Sequence, residues 1–355
     1  MHEILNNLIG NEYIATVIAS ALPLVFILVY ALFAIWWERK VSAHMQDRLG
    51  PMRTGWHGAF QTIADMTKLL QKEDIIAAQN DKKLFNIAPV LIFVGSYAAF
   101  AAIPFAGNFI GSNIDLGLLY ILGISSLAVV AILMAGWSSN NKYTLLGAIR
   151  SAAQMVSYEI PTAIVILTMV MLLGTMNLRT ISEMQTGFFW NWNLFGGVAP
   201  IGVKILLIPF MLIAFIIVLI SSLAETNRVP FDLPEAESEL VSGYFTEYAG
   251  MKWAMFMLSE YGNMYAVSAV ISALFLGGYQ SPLGYLGNSL GISWLVPWEQ
   301  FFWFTVKGLG FVSLQMWLRW TLPRLRVDQL MHLCWKYLIP YSFATLIIVG
   351  FITLI

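Results

Sequence analysis

Between residues 225 and 260 stand seven carboxylates, Glu225, Asp232, Glu235, Glu237, Glu239, Glu247 and Glu260, set between two apolar runs of a chain that is only 11% charged. An acid near or inside a bilayer is costly unless it is paired, hydrated or protonated. The basic residues of the same stretch, Arg228 and Lys252, cannot neutralise seven acids. Some of the seven must therefore sit in water or carry a proton, and either outcome points to proton handling. Glu159 is a further singular acid, in Ser157-Tyr158-Glu159-Ile160-Pro161 ahead of apolar sequence. It calls for a proton, water, or a partner such as Arg150 or Lys142. Pro161 leaves the carbonyl near Ser157 without its usual helical donor, a place for water.

A plainer reading stands beside the functional one. Asp232-Leu-Pro-Glu235 has the form of a helix start, with Asp232 accepting from orphan backbone N–H groups and Glu235 completing a capping box. Glu235 and Glu239 would then face the same way at i and i+4, where like charges couple and raise at least one pKa. For Glu159 and Glu260 the alternative is a structural ion pair.

Composition defines what positions these groups. Hydrophobic residues make up 59% of the 355, and the mean hydropathy is +0.73. A soluble domain carries about 25% charged residues, so the chain reads as an all-α integral membrane protein. Eight runs approach the ~20 residues needed to span a bilayer: 14–37, 84–105, 116–137, 145–173, 201–223, 253–276, 301–320 and 337–355. The fourth is too long to stand upright and holds Pro161, so tilt or a kink is expected. No soluble domain boundary or internal repeat is evident; the chain reads as one polytopic membrane domain over 1–355, with loops at 38–83 and 224–263.

Arg39, Lys40, Arg48, Arg53, Lys68, Lys72, Lys82 and Lys83 crowd the first connection, and Arg319, Arg324, Arg326 and Lys336 flank the last. The positive-inside rule puts that side in the cytoplasm and both termini opposite. Glu3, with no Lys or Arg before Arg39, argues against a cleaved leader. From Trp56, the residues Trp56, Phe60, Ile63, Met66, Leu69 and Leu70 recur at helical spacing, with Asp65 and Lys68 between them. This predicts an amphipathic helix lying in the cytoplasmic interface, either a lipid anchor or the frame of a side entrance for a lipid-soluble substrate. Glu38, Arg39 and Lys40, followed by Gln46-Asp47-Arg48-Leu49-Gly50-Pro51, place a turn after a charged segment against the membrane. Cys334 is the one cysteine, and His2, His44, His57 and His332 lack ligand spacing. No metal, flavin or iron–sulfur cluster is expected on this chain. Gly308 and Gly310 read as close helix packing rather than a phosphate loop.

Three strings, in order, resemble the family of H-type membrane subunits of respiratory complex I, the NADH:quinone oxidoreductase. They are ERKVSAHMQDRLGPMRTGWHGAFQTIADMTKLLQKED at 38–74, GWSSNNKYTLLGAIRSAAQMVSYE at 136–159 and AETNRVPFDLPEAESELVSGYFTEY at 224–248. The likeness covers essentially the whole chain; Met66 departs from the small residue common in the family. It implies a translocase subunit without a redox centre, inactive alone, at the junction of the peripheral and membrane arms. Its substrate would be ubiquinone or menaquinone, and electrons would come from an iron–sulfur cluster in a partner. The quinone tunnel and its entrance would then involve Glu38, Arg39, Lys40, Gln46, Arg48, Arg53, Asp65 and Lys68. The proton-linked set would be Glu159, Glu225, Asp232, Glu235, Glu237, Glu239, Glu247 and Glu260, with Arg228 as a tuning cation. Other complex I subunits, quinone and lipid are the implied partners, with no nucleic acid, in an energy-transducing membrane such as the bacterial inner membrane. The homologous subunit of an energy-converting hydrogenase is the near alternative. A stand-alone secondary transporter is the distant one; it calls for inverted repeats and paired broken helices.

Overall fold

The computed structural model describes residues 10–197, 199–233, 237–285, 287 and 291–354, and for 237, 238 and 293 the backbone alone. Helix α1 (Glu12–Met45) starts where Asn11 accepts from the amides of Tyr13 and Ile14, and it runs well past the apolar stretch. Glu38, Arg39 and Lys40 therefore lie on rigid helix, and Gln46 is its C-cap. The amphipathic helix α2 (Gln61–Gln71) begins later than its periodicity suggests. Gly55, His57 and Gly58 all have positive φ, so Trp56–Gly58 forms a separate tight turn. A Cβ at Gly58 would meet the Pro51 carbonyl oxygen at 2.3 Å, so the turn also needs glycine for space. Ile63 and Leu70 stay exposed on α2, and among its residues Thr62 is buried.

The chain continues through α3 (Lys82–Ala99), α4 (Gly117–Ser138), α5 (Lys142–Leu173), the short α6 (Leu178–Met184) and α7 (Ile201–Glu225). After the short α8 (Glu237–Leu240) come α9 (Gly250–Phe275), α10 (Val296–Thr321) and α11 (Val327–His332). A π-helical segment, Leu333–Leu338, carries α11 without a break into α12 (Ile339–Thr353). Asp81, Asn141 and Asn177 cap α3, α5 and α6 with side-chain oxygens. Among the described residues, six helical stretches are long and apolar enough to cross a membrane. The other two of the eight runs are α9 and α10, each 26 residues long. Helix α9 can be more polar because it is interior: Ser259, Glu260, Ser268 and Ser272 are all buried on it. Among the described residues there is no strand beyond isolated bridges. The fold is all-α, as composition dictates.

Small residues set the closest helix approaches. A Cβ on Gly136 would lie 2.3 Å from the Cβ of Ala148, and one on Gly308 would meet the Tyr265 ring at 3.0 Å. Gly310 faces open space, so only one glycine of the pair acts in packing. Gly136→Ala should force α4 and α5 apart and destabilise the fold by about 1–3 kcal/mol. A lowered thermal transition with unchanged helix content by circular dichroism is expected; an unchanged transition would contradict this packing.

Candidate functional site

Glu38, on α1, is buried among polar groups from three other elements. The Tyr261 hydroxyl of α9 donates to its Oε2 at 2.6 Å, and Arg228 lies 3.5 Å from Oε1. Arg319 of α10 also donates to Oε1. The Arg228 guanidinium stacks over the Tyr261 ring at 4.6 Å. Close by, Arg324 bonds Asp232 at 3.0 Å. Asp232 is buried, and burial pushes its carboxyl above the ordinary aspartate range against the pull of Arg324, Arg319 and Arg228. Two carboxylates and three guanidiniums thus meet with one positive charge in surplus. Charges removed from water persist only when paired and hydrogen-bonded. An open apolar groove of about 280 Å³ runs between α1 and α10, and its lining reaches Trp37 and Met316, next to Glu38 and one turn before Arg319.

A second constellation lies apart from the first. Glu159 of α5 and Glu225, the last residue of α7, line one partly open cavity of about 60 Å³, with Ser96, Thr162 and Asn263 supplying polar wall. That is room for a few waters with polar partners. Glu159 pairs with neither Arg150 nor Lys142. Arg150 instead bonds Glu239 at 2.6 Å, and Lys142 stands over the Tyr143 ring. The carbonyl freed by Pro161 does not wait for water either: the Cys334 thiol donates to the Ser157 oxygen at 3.0 Å from the π-helical segment.

The segment joining the two constellations is short and held. Glu225 faces the cavity and Arg228, three residues on, faces Glu38. Gln154 of α5 pins the turn between them, its Nε2 lying 2.9 Å from the Ala224 oxygen, 2.8 Å from the Phe231 oxygen and 3.3 Å from Asn227 Oδ1. Gln154→Leu leaves these buried acceptors without their donor, each at about 1–3 kcal/mol. The expected result is an assembled protein in which trypsin or an equivalent protease cuts within 224–233 faster than in wild type; unchanged proteolysis would contradict the pinning.

The remaining expected residues are more dispersed. Glu260 is buried and accepts from the Tyr244 hydroxyl at 3.2 Å, and Glu247 accepts from Asn141 at 2.9 Å. Among the described residues no backbone amide caps onto the Asp232 carboxylate; Arg324 donates to its Oδ2. Glu235 lies outside the described residues, as does the side chain of Glu237, so the expected Glu235–Glu239 pairing lies outside them too. Glu239 is over half exposed, and its bond to Arg150 is a surface pair of small worth. Arg39 bonds Asp65 at 2.5 Å, tying α1 to α2. Lys40 donates to the carbonyls of Pro51 at 2.7 Å and Leu49 at 3.3 Å, so it holds the Gln46–Pro51 turn rather than facing the cluster. Arg48, Arg53 and Lys68 are exposed. Lys252 turns away from the acids to bond Asp74 at 2.7 Å. Arg319, Arg324, Tyr261 and Gln154 were not foreseen as site residues. A signal for the arginines existed, since a buried Glu38 requires cations and these flank the last connection. Among the described residues no group of His, Cys, Asp and Glu is placed to hold a metal ion.

Fold and site define an all-α, multi-pass membrane protein with an arginine-rich cluster around Glu38 and Asp232 and a small cavity lined by Glu159 and Glu225. Residues 18–350 match the sequence profile of the NADH dehydrogenase family, and the chain belongs to that family. It is 53% identical over 344 residues to the H subunit of the NADH-quinone oxidoreductase of Chlorobaculum tepidum, covering 96% of this chain and 93% of that one. The corresponding protein of Chlorobaculum parvum, under the same name, is 54% identical over 338 residues, 94% of this chain and 91% of that one. That of Bacteroides fragilis, again an H subunit of NADH-quinone oxidoreductase, is 44% identical over 321 residues, with 90% and 86% covered.

Proposed function

We propose that this chain is the membrane subunit of a proton-pumping NADH:quinone oxidoreductase that lines the quinone path and couples quinone reduction to proton movement. The names of its relatives support membership of that complex over a hydrogenase or a transporter. The observation that carries the coupling is the position of Glu225 and Arg228 on one pinned turn, facing two different sites.

A quinone headgroup near Glu38 would meet hydrogen-bond donors in Tyr261, Arg228 and Arg319, and its isoprenoid tail would suit the apolar groove between α1 and α10. Electrons reach the quinone from an iron–sulfur partner. As negative charge develops on the headgroup, the surplus cation of the cluster stabilises it, and the guanidiniums loosen their hold on Glu38 and Asp232. A displaced Arg228 moves the turn that ends in Glu225. Two carboxylates across a small cavity cannot both ionise without cost, so a shift of Glu225 changes which of Glu225 and Glu159 holds a proton. Glu239, Glu247, Glu260, Glu235 and Glu237 extend the acidic path towards neighbouring subunits; Arg39, Lys40, Gln46, Arg48, Arg53, Asp65 and Lys68 shape the entrance side. The whole chain acts as a single polytopic domain in an energy-transducing membrane, the inner membrane in a bacterium, with both termini away from the cytoplasm. The quinone is ubiquinone or menaquinone.

The test is a photoreactive quinone added to the complex purified with its native neighbours. Labelling of peptides containing Glu38 or Arg319, suppressed by excess quinone, is expected alongside quinone-reductase activity and iron–sulfur signals. Quinone-reductase activity with no competable label on this chain would overturn the assignment.

A further inference from the structure

At the end of the bundle opposite the acidic loop, the C-terminus of α9 is built around a cation. Its last carbonyls need partners that the helix cannot supply. Gln185 donates to the Ala273 oxygen at 2.8 Å and Asn193 to the Leu274 oxygen at 2.8 Å, both neutral side chains. The next carbonyls are treated differently. Lys307, projecting from α10, places Nζ 2.6 Å from the oxygen of Leu276, 2.9 Å from that of Gly278 and 2.6 Å from that of Gln280. An ammonium has three N–H donors, one for each of these carbonyls, whereas a neutral amine has only two. The Trp192 ring covers another face of the ammonium at 4.3 Å from its centroid.

The seat is shaped for this guest. Gly277 and Gly278 both have positive φ, and a Cβ on them would strike Trp192 at 2.6 Å and Ser182 at 2.3 Å. Only glycines let the chain turn its carbonyls inward here. Leu274, two residues before the seat, also lines the Glu159–Glu225 cavity. The charge therefore stands just beyond the cavity wall, in line with α9.

We propose that Lys307 is a tethered cation in a built carbonyl site, and that its charge closes this end of the Glu159–Glu225 cavity to protons. The proposal rests on the reading that this cavity carries protons. Fixed positive charges exclude protons from pores that water can fill. Neutral donors satisfy the neighbouring carbonyls, so a helix end of this kind can be capped without a charge. Protons held by Glu225 and Glu159 are then kept from crossing the membrane directly through this chain.

The experiment measures passive proton conductance of vesicles containing the assembled complex, with no substrate present. Lys307→Gln keeps hydrogen-bond donors without charge, Lys307→Arg keeps charge, and Lys307→Ala empties the seat. A unit charge ~10 Å from a transiting proton, at an effective dielectric constant of about 20, sets a barrier worth roughly tenfold in rate. Lys307→Gln and Lys307→Ala should therefore leak about tenfold faster than wild type, with Lys307→Arg within about twofold of it. Wild-type conductance in both neutral variants would overturn the proposal. Assembly of Lys307→Arg alone, with neither neutral variant forming a complex, would also overturn it by making the lysine a folding determinant only. Adding Glu225→Gln to Lys307→Gln should abolish the leak. A leak that survives this addition sinks the cavity reading while leaving the barrier standing.

Discussion

Replacing Glu225 with Gln should lower proton uptake per quinone reduced roughly tenfold or more, since a positioned acid–base group contributes about 10²–10⁴-fold to a proton transfer. Gln is nearly isosteric and keeps its place beside Thr162 in the cavity wall, but it cannot bind and release a proton at working pH. Glu159→Gln should act in the same direction, because both side chains line one cavity of about 60 Å³. The two changes together should cost little more than either alone, as expected for groups acting as a unit. Reconstituted vesicles following acidification and quinone reduction together provide the check. Normal proton uptake per quinone in Glu225→Gln would remove this cavity from the path.

The second large effect is expected at Glu38. Glu38→Gln leaves Arg228 and Arg319 facing a neutral amide in a buried setting, and breaking a buried pair typically costs about 3–5 kcal/mol. The yield of assembled complex and its thermal transition should both fall, and quinone-reductase activity should fall with them. Removing one of the stranded charges as well, in Glu38→Gln with Arg228→Met, should recover part of the lost stability. Thermal unfolding of the two variants measures that recovery. A double variant less stable than Glu38→Gln by the full cost of Arg228→Met alone would mean that the two residues do not interact.

Much of the fold was legible because lipid makes composition and run length decisive. The eight apolar runs all became helices, and α9 was readable although its polar serines and Glu260 are packed inside. Boundaries were less legible where glycine torsion overrode periodicity: Trp56 and Phe60 fit the helical spacing of α2, yet Gly55 and Gly58 turn the chain before it. At the site, the acids were legible individually, since a carboxylate in apolar sequence announces a cost. Their partners were not. Glu38 meets Arg228 and Arg319 across separations of 190 and 281 residues, a relation no local spacing carries. The same holds for Arg150, which lies close to Glu159 in sequence but reaches Glu239, and for Cys334, which fills the gap that Pro161 opens. Gln154 gave no warning, because a buried amide draws its meaning from the backbone it holds.

The central claim is that events at the Glu38–Arg228–Arg319 cluster change proton occupancy at Glu225 through the turn between them. Infrared difference spectroscopy of the intact complex, comparing oxidised with reduced quinone, reads that occupancy directly through the carbonyl stretch of protonated carboxyl groups. Quinone reduction should produce a protonated-carboxyl difference band that disappears in Glu225→Gln and weakens in Gln154→Leu, where the turn is no longer pinned. A band identical in wild type and both variants would contradict the claim.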